Sequence, residues 1–173
     1  MFSLAWVDRR RRTCPSSPNF VTSRPDQNEP DRRYTFPTSH RLKRRRLIRS
    51  LFGRDRDDVE TAAVGCVQLL LRVVERESTG RDTPIQVGFA PGRRVESGVE
   101  RNRVRRLLRE VYRVHQHTLV DPFVRTPYTL IMMILFRGPP AQADDCIERD
   151  LPRAMEQAAT RFEGSPDRQS DDS

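Results

Sequence analysis

Residues 97–113 read SGVERNRVRRLLREVYR, and this stretch decides both the fold and the character of the chain. Ser97 with Glu100 three positions on is the pattern of a capping box, in which each side chain reaches a backbone N–H that a helix start leaves unpaired. The pattern predicts a helix from Ser97 to about Thr118. At about 100° per residue, Val104, Leu107, Leu108, Val111 and Val114 share one sector, while Arg101, Asn102, Arg105, Arg106, Arg109 and Arg113 occupy the opposite one. One face suits a core and the other suits a polyanion. The competing reading is a solvated charged face. Such a face would interleave acidic residues to pair at i,i+4, and Glu100 and Glu110 are too few for that. Arginine also donates paired hydrogen bonds to phosphate oxygens and stacks on bases. Lys43 is the only lysine in the chain, so a general bias toward arginine accounts for part of that choice.

Working outward, Ile85–Ala90 (IQVGFA) reads as a strand halted by Pro91–Gly92, because proline cannot donate to a sheet ladder. Arg93–Val95 is a candidate for a brief further strand. Upstream, Ala62–Val74 reads as one long strand rich in β-branched residues, joined to Ile85–Ala90 by a polar hairpin loop over Glu75–Thr83. Before it, HRLKRRRLIRSLF predicts a short, strongly basic helix ending at Gly53, with Leu42, Ile48, Leu51 and Phe52 as its apolar positions. Downstream, Tyr128–Phe136 is a nearly continuous apolar run closed by Arg137–Gly138–Pro139–Pro140, the signature of a buried central strand. Ile147, Leu151, Ala154, Met155, Ala158 and Phe162 recur at helical spacing and predict a last helix over about 144–162, which Pro152 either delays to near Asp150 or kinks. The expected fold class is α+β: a single α/β sandwich, a small mixed sheet with about three helices in the order α-β-β-(β)-α-β-α.

Only 35% of the 173 residues are hydrophobic, and 32 Lys+Arg against 24 Asp+Glu leave a net charge of +8. That balance favours a polyanionic partner over a membrane surface. No apolar run reaches the roughly 20 residues needed to cross a bilayer, so a soluble protein is expected. The N-terminus, MFSLAWVDRRRR, places its short apolar piece ahead of the charges, the reverse of a secretory signal. Residues 1–33, rich in Pro, Ser and Arg, are expected to be a disordered extension, and 164–173 a disordered acidic tail, leaving 34–163 as the folded domain. Cys14, Cys66 and Cys146 are odd in number and far apart in sequence, which suggests neither a disulfide framework nor a zinc site and fits a reducing cytoplasm. Cys66 and Cys146 then read as small apolar residues.

The constellations of an enzyme are missing. There is no H-E-x-x-H, P-loop, G-x-S-x-G or dinucleotide glycine pattern. His115 and His117 fall on different sides of the predicted helix and read as surface residues rather than ligands, and Asp55, Asp57 and Asp58 read as a solvated acidic turn. No catalytic residue and no protein metal site are expected.

The stretch QVGFAPGRRVESGVERNRVRRLLREVYR resembles the protein subunit of bacterial ribonuclease P. Val87–Gly88–Phe89 matches that family's V-G-L strand, Arg93–Arg94 its paired basic dipeptide, and Arg101, Asn102, Arg103, Arg105, Arg106 and Arg109 its R-N-R-x-K-R-x-x-R helix. Arg41–Leu42–Lys43 matches the start of the family's first helix and Phe52 an aromatic position within it. Ile48 stands where the family usually carries an aromatic residue, and Pro91–Gly92, Glu96, Ser97 and Gly98 replace residues more often Val-Ser, Gly, Asn and Ala. The resemblance implies a ribosomal protein S5 domain 2-like fold with a left-handed β-α-β crossover. It implies a non-catalytic subunit of an endoribonuclease, bound in the cytoplasm to a catalytic RNA that uses Mg2+ to remove the 5′ leader of precursor tRNA. The catalytic RNA and precursor tRNA are the implied partners, with no membrane and no DNA. Arg93, Arg94, Arg101, Asn102, Arg103, Arg105, Arg106, Arg109, Arg41 and Lys43 would bind RNA, and Ile48, Phe52 and Ala90 would line the leader cleft. For Phe52 the alternative is ordinary core packing. A structural RNA-binding module of the ribosomal-protein kind is the competing function.

Overall fold

The computed structural model describes residues 35–53 and 58–163. The expectations for 1–33 and 164–173, together with Cys14, Asp55 and Asp57, lie outside the described residues. Four strands, β1 (Glu60–Val64), β2 (Val67–Glu75), β3 (Ile85–Pro91) and β4 (Tyr128–Phe136), form one mixed sheet in the order β1-β2-β4-β3. The helices are α1 (Arg45–Ser50), α2 (Arg76–Thr79), α3 (Gly98–His115), α4 (His117–Val120) and α5 (Ala143–Glu163).

Strand β4 explains the arrangement. Each of its neighbours takes one edge, β2 antiparallel and β3 parallel, and helices cover both faces. A strand with no solvent-facing side has no reason to alternate, and YTLIMMILF does not. Leu130, Met132, Ile134 and Phe136 point to a core shared with α3 and α5, while Ile131 and Met133 point to a second, smaller core under α1. Strands β2 and β3 are therefore not hairpin partners, and the segment between them contains the single turn α2, ended by Gly80 in the left-handed region (φ 62°).

The expected long strand Ala62–Val74 is instead a hairpin. Val64 pairs with Val67 across a tight turn at Gly65–Cys66. Gly65 has a φ of 51°, and a Cβ there would collide with the carboxylate of Asp150, so the position needs glycine twice over. The first helix is also shorter than expected. Arg41 pairs with Val87 in a parallel bridge and the Leu42 N–H donates to the Val87 carbonyl at 2.9 Å. This extended stretch covers the open edge of β3 and postpones the helix to Arg45, leaving Arg41 and Lys43 outside it.

The helix α3 begins at Gly98, where Ser97 occupies the N-cap without the side-chain hydrogen bond a capping box implies. It stops at His115, and α4 follows after Gln116 in place of one continuous helix to Thr118. Val104, Leu108 and Tyr112 are its buried positions, whereas Val114, expected in the core, is 45% exposed. Arg93–Val95 forms no strand. Helix α5 runs unbroken through Pro152, burying Ile147, Leu151, Ala154, Met155 and Ala158 as expected.

Cys66 and Cys146 correct the expectation of isolated cysteines. They are joined by a disulfide, with Cα atoms 6.2 Å apart across a sequence separation of 80, because the β1–β2 turn packs on the first turns of α5. Separation along the chain carries no information about this proximity.

Candidate RNA interface

The cationic face of α3 is divided by what each arginine already holds. Arg101 is partly buried and donates to the Val95 carbonyl at 3.1 Å, which pins the loop before the helix. Arg105 donates to Asn102 Oδ1 at 3.1 Å. Arg103 pairs with Asp144 of α5, and Arg113 with Glu110 one turn back. The Arg113 guanidinium holds the Glu110 carboxyl below its ordinary range. Arg93, Arg94 and Arg106 are exposed and make no ion pair among the described residues. These three are the readiest donors to a phosphate.

Arg109 marks where α3 meets the edge of the sheet. Its guanidinium lies 5.9 Å from the centre of the Phe89 ring, within cation–π range. Phe89 belongs to an aromatic trio with Phe36 and Tyr112, edge-to-face at 5.5 to 5.7 Å between centroids. Arg41 lies 5.8 Å from the Phe36 ring. Through this trio, two arginines expected to bind RNA, Arg41 and Arg109, flank the same edge of β3. The trio was not foreseen; the aromatic spacing of Phe36, Phe89 and Tyr112 has no signature along the chain. Tyr112 is fully buried, its hydroxyl has no hydrogen-bond partner among the described residues, and burial pushes its pKa well above the ordinary tyrosine value.

The expected leader-cleft residues lie on the opposite face of the sheet from α3. Ile48 and Ala90 are both partly buried against the small core of Leu42, Leu47, Leu51, Leu70, Ile131 and Met133. Gly88 sits beside it, where a Cβ would press on the Met133 side chain. Phe52, just past the end of α1, is 51% exposed and belongs to neither core, which sets aside ordinary core packing for it. On the β2 side of α1 opens a groove of about 640 Å3, lined by Arg46, Arg49, Ser50, Arg72, Val74 and Ser78 among others. Its floor carries one charge that sequence reading passed over. Arg72 is the lone cation within the apolar run of β2, which was its only signal, and it pairs with Asp58 at 2.5 Å. Lys43 and Arg41 are exposed near the start of α1.

No metal ligand set stands out among these residues. The one grouping of possible ligands among the described residues is Cys66, Cys146 and Asp150, and its two sulfurs are bonded to each other. His115 is exposed, and His117 Nδ1 lies 3.7 Å from Asp121.

An arginine-rich helix on one face of a small mixed sheet and an arginine-lined groove on the other define a basic α/β protein built to hold nucleic acid. Comparison with known proteins makes this specific. The family model described as ribonuclease P matches residues 36–159. The ribonuclease P protein component of Symbiobacterium thermophilum is 34% identical over 95 residues, 55% of this chain and 70% of that one. That of Natranaerobius thermophilus is 45% identical over 53 residues, 31% of this chain and 42% of that one. The chain belongs to the ribonuclease P protein family. Solved structures of the ribonuclease P protein of Staphylococcus aureus align with a TM-score of 0.45; one of these covers 66% of this chain and 94% of that one at 14% identity.

Proposed function

We propose that this chain is the protein subunit of a ribonuclease P ribonucleoprotein, which binds a catalytic RNA and the 5′ leader of precursor tRNA and promotes removal of that leader. The observation that carries the reading is the match of the family model to 36–159, which spans both cationic surfaces. The RNA performs the hydrolysis with Mg2+, and this polypeptide contributes no catalytic side chain. Its part is to bind. The α3 face, with Arg93, Arg94 and Arg106, contacts the catalytic RNA through phosphates and shape. The groove beside α1 takes the single-stranded leader, because single strands are held by a cationic trough with an aromatic or apolar platform. Arg46, Arg49 and Arg72 line the groove and supply the charge. Phe52, exposed just past the end of α1, and Ile48 and Ala90, packed on the small core, lie outside its lining and would meet the leader only where it runs on beyond the groove. The same family membership supports a cytoplasmic setting and, for β3–α3–β4, the left-handed crossover of the S5 domain 2-like fold.

The test is cleavage of precursor tRNA at low Mg2+ by the protein alone, by the cognate catalytic RNA alone, and by both. Cleavage should require the RNA and be promoted by the protein. Cleavage by protein alone would make it a nuclease, and no promotion would leave it a structural RNA-binding module.

A further inference from the structure

Neither Cys66 nor Cys146 is among the residues assigned to RNA. Cys66 lies in the β1–β2 turn and is nearly buried, whereas Cys146, in the first turns of α5, is half-buried. The two elements are held together without the sulfurs. Asp150 of α5 accepts the Cys66 N–H at 3.0 Å, and Ile147 and Leu151 are fully buried beneath the helix. Two thiols placed there remain within reach of each other when the bond is open. Asp150 Oδ2 also lies 3.3 Å from Cys146 Sγ, where it can accept an S–H in the open state. We propose that Cys66 and Cys146 are a reversible dithiol/disulfide site that exchanges with small thiols and disulfides, with Asp150 as the positioning residue that governs its rate.

The chemistry starts at the more accessible sulfur. A Cys146 thiolate attacks one sulfur of a small disulfide RSSR, forming Cys146–SR and releasing RS−. The Cys66 thiolate then attacks Cys146 Sγ and expels the second RS−. The two protons lost by the cysteines are taken up by the two leaving thiolates, so a protein dithiol and RSSR become a protein disulfide and two RSH. Asp150 restrains the first step. Its carboxylate disfavours a negative sulfur at 3.3 Å and offers an acceptor to the protonated one. The charged groups facing that carboxylate are Arg149 and Arg153 of the same helix; the β1–β2 turn presents the Cys66 amide. Arg149, bonded to Asp150 at 2.8 Å, keeps it ionised at neutral pH.

The experiment uses the full chain carrying Cys14→Ser, so that only this pair reports. The protein is equilibrated with reduced and oxidised glutathione, and free thiols are counted by alkylation and mass. Both thiols should disappear together, return with dithiothreitol, and the oxidised chain should melt about 10 °C higher, as a cross-link closing a long loop predicts. Asp150→Asn, which keeps an oxygen for the Cys66 amide, should oxidise several-fold faster at pH 7 with its rate profile displaced to lower pH. Cys66→Ala should trap glutathione on Cys146. Glutathione accumulating on Cys146 of the chain that retains Cys66, or equal melting points for the two states, would overturn the exchange site. An unmoved pH profile in a folded Asp150→Asn chain would overturn the role of Asp150.

Discussion

Replacing Phe52 by alanine separates the leader cleft from the rest of the protein. The ring is 51% exposed and contributes to neither core, while Leu47 and Leu51 anchor α1 at 5% and 2% exposure. Complete burial of a phenylalanine is worth about 1.5–3 kcal/mol, so a half-covered ring contributes roughly 1 kcal/mol to folding. The domain should therefore stay folded, melting only a few degrees lower. Stacking of one base on an aromatic ring is worth about 1–3 kcal/mol, which corresponds to roughly a 5- to 150-fold loss of affinity on removal. The binding effect should exceed the folding effect. The assay is the affinity of the reconstituted ribonucleoprotein for precursor tRNAs with leaders of increasing length, measured beside mature tRNA. The loss should be confined to substrates whose leader reaches the groove. Equal losses for leader-bearing and mature tRNA, or no loss for either in a chain shown to be folded, would remove Phe52 from the leader path. Ile48→Phe supplies the converse: if the leader runs along α1 over the small core, an aromatic face there should raise the ratio of leader-bearing to mature affinity, and an unchanged ratio in a folded variant would take Ile48 out of the leader path.

Arg105→Ala should weaken RNA binding for all sequences and flatten its dependence on log salt by about one unit of slope; an unchanged slope would mean that Arg105 bonds only Asn102. Asp58→Asn frees Arg72 on the groove floor from a half-exposed ion pair, so binding of leader-bearing RNA should tighten by up to about fivefold, and weaker binding would show the pair to be structural. Tyr112→Phe removes a buried hydroxyl that has no hydrogen-bond partner among the described residues, at a site where such a group costs about 1–3 kcal/mol. The melting temperature should hold or rise, and a fall would reveal a partner for that oxygen.

The parts of the fold that were legible in the chain are those in which a local pattern has one physical outcome. The run Tyr128–Phe136 is apolar at every position except Thr129 because a central strand with two covered faces tolerates nothing else, and its bounds match the observed β4. The α5 spacing survives Pro152 because its buried side chains outweigh one lost hydrogen bond. What escaped reading depends on contacts between distant segments. The apolar residues of Ala62–Val74 look the same in one strand as in a hairpin, and only Gly65 marks the turn. Arg41 and Leu42 read as the start of a helix but spend their backbone on the edge of β3 at Val87, more than forty residues away. Val114 and Tyr112 exchange places relative to an ideal apolar sector because Tyr112 has an aromatic pocket to fill against Phe36 and Phe89. The candidate site divides the same way: arginines on α3 follow from helical phase, whereas Arg72 enters the site only through the fold.

The division of the α3 face has a consequence for how binding energy is distributed. The five arginines of the R-N-R motif look equivalent in sequence, yet they differ in what they must give up to meet a phosphate. Arg106, exposed and with no ion pair among the described residues, gives up least. Arg103 gives up an ion pair with Asp144 that is half-exposed on both sides and is therefore worth at most about 1 kcal/mol, so RNA can displace it at little cost. Arg101 is different, because its bond to the Val95 carbonyl fixes the loop that presents Arg93 and Arg94. Withdrawing it would loosen two free cations to gain one. Arg101 therefore acts on RNA mainly by holding that loop in place, and its removal should cost more affinity than a single phosphate contact while Arg106→Ala costs about one.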